Sequence, residues 1–64
     1  MTKIRRGGYV FLTWSADHPP RHVHVLRNGQ LVLKWDLERR RPLQGVATKR
    51  LVDVIDELVN DGRL

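Results

Sequence analysis

Cysteine is absent from the 64-residue sequence, which excludes disulfide bonds and zinc sites with thiolate ligands. The apolar run at residues 9–14 is too short for a signal peptide or a membrane span. We therefore expect a cytoplasmic protein with no membrane contact. A chain this short gains only about 3–5 kcal/mol from its core. Its stability should therefore depend on a very regular core, a histidine metal site or association with another chain.

Acidic residues are scarce before residue 51. Residues 1–50 contain eleven Lys and Arg against three Asp and Glu, a net charge of +8, whereas residues 51–64 have a net charge of −3. A basic body attracts anionic partners, RNA or DNA first, although a solvated basic surface without a ligand is the alternative. The candidate nucleic-acid contacts are Arg5, Arg6, Arg21, Arg39, Arg40 and Arg41.

Three β-strands are predicted within residues 8–37. Residues 9–14 are rich in β-branched and aromatic side chains, and two further strands are predicted at residues 21–26 and 30–37. The Pro19-Pro20 pair makes the first connection stiff. Residues 1–7 are expected to form a loosely held basic arm.

The hairpin between the second and third strands has two possible registers. A two-residue Asn28-Gly29 turn would mix the histidines into the main apolar face. A three-residue loop with Gly29 in the left-handed conformation separates them from the apolar residues. We therefore predict the three-residue loop, with Lys34 directly across from His22. The residues then expected on the core face are Val23, Val25, Leu31, Leu33, Trp35 and Leu37.

A helix is predicted at residues 48–62. Thr48 is a good N-cap, Gly62 suits a left-handed C-cap, and apolar residues recur between them at helical spacing. The predicted fold is α+β, in the order β-β-β-α. It is a single domain over residues 1–64, with a three-stranded antiparallel sheet and one C-terminal helix packed on one face.

All three histidines of the chain lie within seven residues, and they are the main candidate functional groups. The predicted register puts His22 and His24 side by side on the open face with Lys34, and His18 enters from the preceding loop. Imidazoles titrate near about pH 6.5 and serve as general acids and bases. Lys34 or Arg21 could stabilise a phosphorane-like transition state. We therefore name His22, His24, Lys34 and His18 as candidate catalytic residues for RNA cleavage without a metal or other cofactor.

Three other interpretations of the histidines remain open. An H-x-H pair plus His18 could bind zinc, although Lys34 and Arg21 oppose a cation, so we assign no metal ligands. The histidines could be rim residues that hydrogen-bond to Asp17 or Asp36. The basic surface could also belong to a non-enzymatic module that binds nucleic acid or a partner protein. The aromatic residues are expected in the core rather than as a base-stacking platform.

At the histidine motif the chain resembles a family of small bacterial proteins classified as a domain of unknown function. Its members have a Gly-Tyr/Phe-rich first strand, a His-x-Pro-Pro-His-Val-His-Val core, a Lys-aromatic-Leu strand and a C-terminal helix. The present chain places the two prolines one position earlier. The matching parts are Ile4-Arg5, Gly7-Gly8-Tyr9-Val10-Phe11, Ser15, Asp17-His18, His22-Val23-His24-Val25, Lys34-Trp35, Leu37 and the helix from Thr48.

The resemblance implies a function through gene neighbourhood. Genes of such proteins are often paired with another small gene in a toxin–antitoxin-like arrangement. This implies a toxin-like component, with ribonuclease as the implied activity, that is neutralised by a small antitoxin-like protein partner. We also expect a homo-oligomer or a hetero-complex, because the core is small and a sheet edge is exposed.

Overall fold

The computed structural model describes residues 1–14 and 18–64, and this part of the chain forms one antiparallel sheet and one helix. The five strands are neighbours in chain order, with the first at one edge of the sheet and the fifth at the other. This confirms an α+β fold with an antiparallel sheet and a C-terminal helix, but the prediction of three strands is wrong. The elements are β1 (Thr2–Arg6), β2 (Tyr9–Thr13), β3 (His22–Arg27), β4 (Gln30–Asp36), β5 (Arg41–Gly45) and α1 (Lys49–Asn60).

The segment predicted as a loosely held basic arm is strand β1. Gly7 and Gly8 both adopt positive φ values, +61° and +82°, and turn the chain so that β1 pairs with β2. Ile4 lies opposite Phe11 and is only 5% exposed. A single buried side chain therefore anchors this basic strand to the core.

Strand β5 lies in the segment predicted as a polar connection. It pairs with β4, and all five of its residues are exposed, as expected at a sheet edge. Gly45 has a φ of +85°, and a Cβ atom there would overlap the carbonyl oxygen of Val32. The close approach of β5 to β4 therefore depends on glycine at this position.

The β3–β4 hairpin turns at Asn28-Gly29, so the predicted three-residue loop is wrong. Both turn residues have positive φ, 52° and 77°, as a type I′ turn requires. A shift in register between Val25 and Leu26 then realigns the strands. This irregularity places Leu33 and Trp35 on the face of Val23 and Val25, and keeps them apart from the histidines despite the shorter turn.

The shifted register changes two detailed predictions. Lys34 lies opposite His24, and Asp36 lies opposite His22. Leu31, predicted in the core, pairs with Leu26 and is 40% exposed. The alternation of core and open-face residues is therefore confirmed along β3, whereas the predicted cross-strand partners are wrong.

The core lies between one face of the sheet and α1. Thr48 caps the helix by accepting a hydrogen bond from the Leu51 N–H at 3.2 Å. At the other end Gly62 donates to the Val59 carbonyl at 3.0 Å, and Arg63 donates to the Leu58 carbonyl at 2.9 Å. This is a Schellman motif, which confirms the predicted C-cap at Gly62. The buried apolar residues are Ile4, Phe11, Val23, Val25, Leu33, Trp35, Leu51, Ile55 and Leu58.

Within residues 1–14 and 18–64, no helix has both the length and the apolar character needed to cross a membrane.

Candidate functional site

The face of the sheet opposite α1, called the open face, carries a continuous row of paired residues through His24. Side chains alternate between faces along each strand, so the row shares the face opposite the buried core residues. Lys3 and Lys34 bring two ammonium groups to it, one on each side of His24. The row runs Lys3, Leu12, His24, Lys34 and Gln44 from β1 to β5.

His24 is half-buried and lies between two aromatic rings. Its ring centroid is 4.7 Å from that of Trp14 and 4.9 Å from that of His22. The interplanar angles are 73° and 67°, so both contacts are edge-to-face. Trp14, which follows β2, remains 41% exposed. The result is a short aromatic column on the open face, next to Lys34.

His22 is more buried than His24, with only 9% of its surface exposed. Its Nδ1 lies 2.7 Å from the carbonyl oxygen of Pro20. Because a carbonyl oxygen can only accept a hydrogen bond, Nδ1 is the donor and carries the proton. The loop before β3 therefore fixes both the orientation and the tautomer of His22.

Asp36 places a buried carboxylate opposite His22. Its Oδ1 accepts hydrogen bonds from the Arg39 N–H at 3.0 Å and the Glu38 N–H at 2.9 Å. The Arg39 N–H is the main cause that holds the pKa of Asp36 below its ordinary value, while burial opposes it and the Glu38 N–H assists. Oδ2 is buried and has no hydrogen-bond partner among the described residues. An ionised carboxylate therefore lies beside the histidine pair.

The structure brings together three of the four predicted catalytic residues. His22 and His24 are neighbours on β3, and Lys34 lies opposite His24. His18 is exposed in the loop that leads to β3. In the described part of the chain, no three His, Asp or Glu side chains form a group that could hold a metal ion. The prediction that Asp17 hydrogen-bonds to a histidine lies outside the described residues.

Two of the six predicted nucleic-acid contacts are engaged by the helix. Arg40 makes a two-pronged contact with the Asp56 carboxylate, with N–O distances of 2.6 and 3.0 Å. This hydrogen-bonded contact lowers the pKa of Asp56. Arg6 lies 3.3 Å from Glu57. Both arginine side chains therefore form ion pairs with acidic residues of α1.

The other four predicted contacts lie closer to the open face or in adjoining turns. Arg5 is exposed on β1, two residues from Lys3, and Arg41 lies opposite Asp36. Arg39 is exposed in the β4–β5 turn. Arg21 precedes β3, and its backbone N–H donates to Glu38 Oε2 at 2.6 Å. Arg5 and Arg41 are thus best placed to add charge to the open face.

The sequence predictions missed two residues of this site. Lys3 lies in the segment predicted as an arm, although the polar–apolar–polar order around Ile4 has the period of two typical of a strand. Trp14, which is predicted in the core, contacts His24 from a half-exposed position. The other aromatic residues behave as expected or nearly so, with Phe11 and Trp35 buried and Tyr9 partly buried.

No family model, curated protein or solved structure matches this chain. The resemblance to the domain of unknown function therefore depends on the residues quoted for it. The assignment of a function depends on the geometry of the open face.

Proposed function

We propose that this chain is a small, cytoplasmic, toxin-like protein that holds a single RNA strand on its open face and cleaves it without a metal ion. The observation that supports this best is the surroundings of His24. A second imidazole lies 4.9 Å away, and an ammonium group lies opposite on the next strand. Two acid–base groups beside a cation are what RNA cleavage of this kind requires.

Binding would combine charge with stacking. Lys3, Arg5 and Lys34 supply phosphate contacts from β1 and β4, on either side of His24. Trp14 supplies a half-exposed ring on which a base could stack, a contact that tolerates any sequence. A single strand suits this surface better than a duplex, because only unpaired bases expose their faces to an aromatic side chain.

The proposed cleavage is an internal transfer of the phosphate group. His22 Nε2 takes the proton of a ribose 2′-OH, and the O2′–P bond forms as the P–O5′ bond breaks. His24, in its protonated form, gives a proton to the leaving O5′. Lys34 stabilises the charge that accumulates on the phosphorane-like transition state. The products are a 2′,3′-cyclic phosphate and a free 5′-hydroxyl.

The test uses a fluorescently labelled single-stranded RNA in the presence of EDTA. We expect wild-type protein to cleave it and His24→Gln, which keeps a similar size, to lose at least about 100-fold in rate. RNA affinity should stay within about twofold, because the phosphate contacts are unchanged. Arg63→Gln, which removes a charge beyond the C-terminal end of α1, is the matched control.

Two further measurements in the same assay complete the test. Replacing the ribose at the cleaved position with 2′-deoxyribose should stop the reaction, because the nucleophile is missing. A His22→Gln/His24→Gln double variant that folds normally by circular dichroism and still cleaves RNA would show that the histidines are not the catalytic groups.

The second candidate function is a binding module without catalysis, and the burial of His22 favours it. A side chain that is 9% exposed and held by the Pro20 carbonyl has the features of a structural histidine. In that case RNA binding persists in the histidine variants, falls steeply with added salt, and is not accompanied by cleavage in EDTA.

We also propose that the sheet edges are where a partner binds. Strand β5 contains Pro42 and an irregularity in its pairing with β4. Both features disfavour the pairing of another strand at that edge. Strand β1 contains neither and pairs only with β2. A small antitoxin-like protein or a second copy of the chain would therefore add a strand at β1. Sedimentation over a concentration series tests for self-association, and a monomer at every concentration would contradict it.

A further inference from the structure

Strands β2 and β3 separate at one end, and a cleft of about 670 Å³ opens between them. Their pairing extends over three positions only and ends where Leu12 meets His24. Beyond that point Thr13 and Trp14 lie on one side, and Arg21 and His22 lie on the other. The cleft therefore adjoins the histidine pair and lies at the end of the open face.

The walls of this cleft combine a flat apolar surface with groups of both charges. Trp14 contributes its half-exposed ring, and Thr13 with its strand partner Thr2 contributes two hydroxyl groups. Arg21 and Glu38 lie on the opposite side and supply one group of each charge, with the Arg21 backbone N–H donating to the Glu38 carboxylate. The volume is in the range of small-molecule sites, which combine apolar walls with a few polar groups. A ligand that fits has a planar ring, an anionic group and N–H donors, as a nucleotide does.

Glu38 carries the carboxylate in the wall of the cleft. Its Oε2 accepts the Arg21 N–H at 2.6 Å, which fixes the carboxylate at the wall of the cleft. An ionised carboxylate has two oxygens that can only accept hydrogen bonds. Guanine presents two adjacent donors, N1–H and N2–H₂, on its Watson–Crick edge. Adenine and uracil present a donor next to acceptors, and an acceptor facing a carboxylate is unfavourable.

We infer that this cleft is a guanine-nucleotide subsite. The base stacks on Trp14, its Watson–Crick edge donates to Glu38, and its phosphate is bound by Arg21. The inference rests on the proposed function, since it names the nucleotide that a bound RNA presents next to the histidine pair. It also supplies the sequence preference that stacking and phosphate contacts lack.

Calorimetric titration of the full chain with GMP, AMP and UMP tests the subsite without any RNA. We expect GMP to bind at least about tenfold more tightly than AMP or UMP. Glu38→Gln should remove this preference while keeping the hydrogen bond to Arg21, because the amide oxygen still accepts it. Trp14→Leu should weaken GMP binding by about tenfold, because the base then has no ring to stack on. Arg63→Gln should bind all three nucleotides as the wild type does.

Either of two results would overturn the subsite. One is that GMP does not bind at about 1 mM, and the other is that the three nucleotides bind alike in the wild type. A GMP preference that survives in a folded Glu38→Gln variant would overturn the assignment of Glu38.

An oligo(A) strand, which contains no guanine, separates this inference from the proposed function. If oligo(A) binds but GMP does not, the subsite is wrong and the RNA-binding face stands. If GMP binds and no RNA does, the cleft is a nucleotide site and the RNA-directed function is wrong.

Discussion

Asp36 shows how one side chain connects the turn after β4 with the histidine pair. It accepts backbone hydrogen bonds from Glu38 and Arg39, which shape the start of the β4–β5 turn, and it lies opposite His22 in the sheet. The same two N–H groups favour its charged form. The carboxylate therefore has a structural role that depends on its ionisation.

This arrangement predicts an acid-dependent loss of stability. The pKa of Asp36 is lower in the folded protein than in the unfolded chain. The stabilisation is thus complete above the unfolded value of about 4 and is lost as the pH falls through the folded value. In Asp36→Asn, the amide oxygen keeps a turn acceptor but cannot ionise. Urea midpoints of this variant should decline less steeply toward acid pH than those of the wild type.

Asp56 provides the control for Asp36. Its pKa is also lowered, chiefly by the hydrogen bond from the exposed Arg40 side chain, so its contribution is screened by salt. At about 1 M NaCl, where the Debye length is about 3 Å, Asp56→Asn should follow the wild-type pH profile while Asp36→Asn should not. Identical profiles for Asp36→Asn and wild type would show that the Arg39 N–H does not govern ionisation at this position.

At the scale of secondary-structure elements, the helix was predictable because its signals are local. The N-cap at Thr48, the apolar spacing that includes Ile55 and the left-handed Gly62 all lie within one segment and agree with one another. Strand β1 lacks such agreement, because Ile4 is its only buried residue. Strand β5 contains Pro42 and Gly45, which are typical of a break. Both edge strands are stabilised by pairing with a neighbour, which the local sequence does not show.

The hairpin shows a different limit of sequence analysis. Both registers derived from the sequence require a regular ladder, and in a regular ladder a two-residue turn at Asn28-Gly29 conflicts with the separation of polar and apolar residues. The register shift at Val25 and Leu26 removes that conflict. The alternation that places His24 on the open face was therefore predictable, whereas its cross-strand partner Lys34 and the cleft beside Trp14 depend on a bulge and on β1.

The assignment of β1 as a strand leads to a stability prediction. Ile4 is 5% exposed against the core, so Ile4→Ala should lower the free energy of unfolding by about 2–5 kcal/mol. Val46→Ala, at a residue that is 74% exposed, should change it by less than about 0.5 kcal/mol. Urea denaturation followed by circular dichroism measures both. An Ile4→Ala variant as stable as Val46→Ala would mean that residues 1–7 are a detached arm.

At the scale of the whole molecule, the sheet separates the acidic residues of α1 on one face from Lys3 and Lys34 on the open face. The acidic residues of α1 are matched by nearby cations, with Lys49 2.9 Å from Asp53, Arg40 2.6 Å from Asp56 and Arg6 3.3 Å from Glu57. Among the described residues, none of these ion pairs includes a lysine of the open face. The positive charges of Lys3 and Lys34 are therefore outside these three ion pairs, and they contribute to an attractive potential for anions at the open face.

This separation predicts which cations determine the salt dependence of RNA binding. Removing one phosphate-binding cation should reduce the slope of log affinity against log salt concentration by about 0.7 for a single strand. The Lys34→Gln variant should show this reduction in slope, and the Lys3→Gln/Lys34→Gln double variant should show a reduction about twice as large. Arg40→Gln removes the same charge but should leave the slope unchanged, because Arg40 contacts Asp56.

Fluorescence anisotropy with oligo(A) between about 50 and 200 mM salt measures these slopes. Comparing Lys34→Gln with Arg40→Gln separates a local contact from the general effect of net charge, because both variants have one positive charge fewer. If only the net charge of the protein mattered, Lys34→Gln and Arg40→Gln would reduce the salt slope equally. A larger reduction for Arg40→Gln would show that the RNA binds at the β4–β5 turn. Only a reduction confined to the lysines places the strand across β1 and β4, where a phosphate group can reach His24.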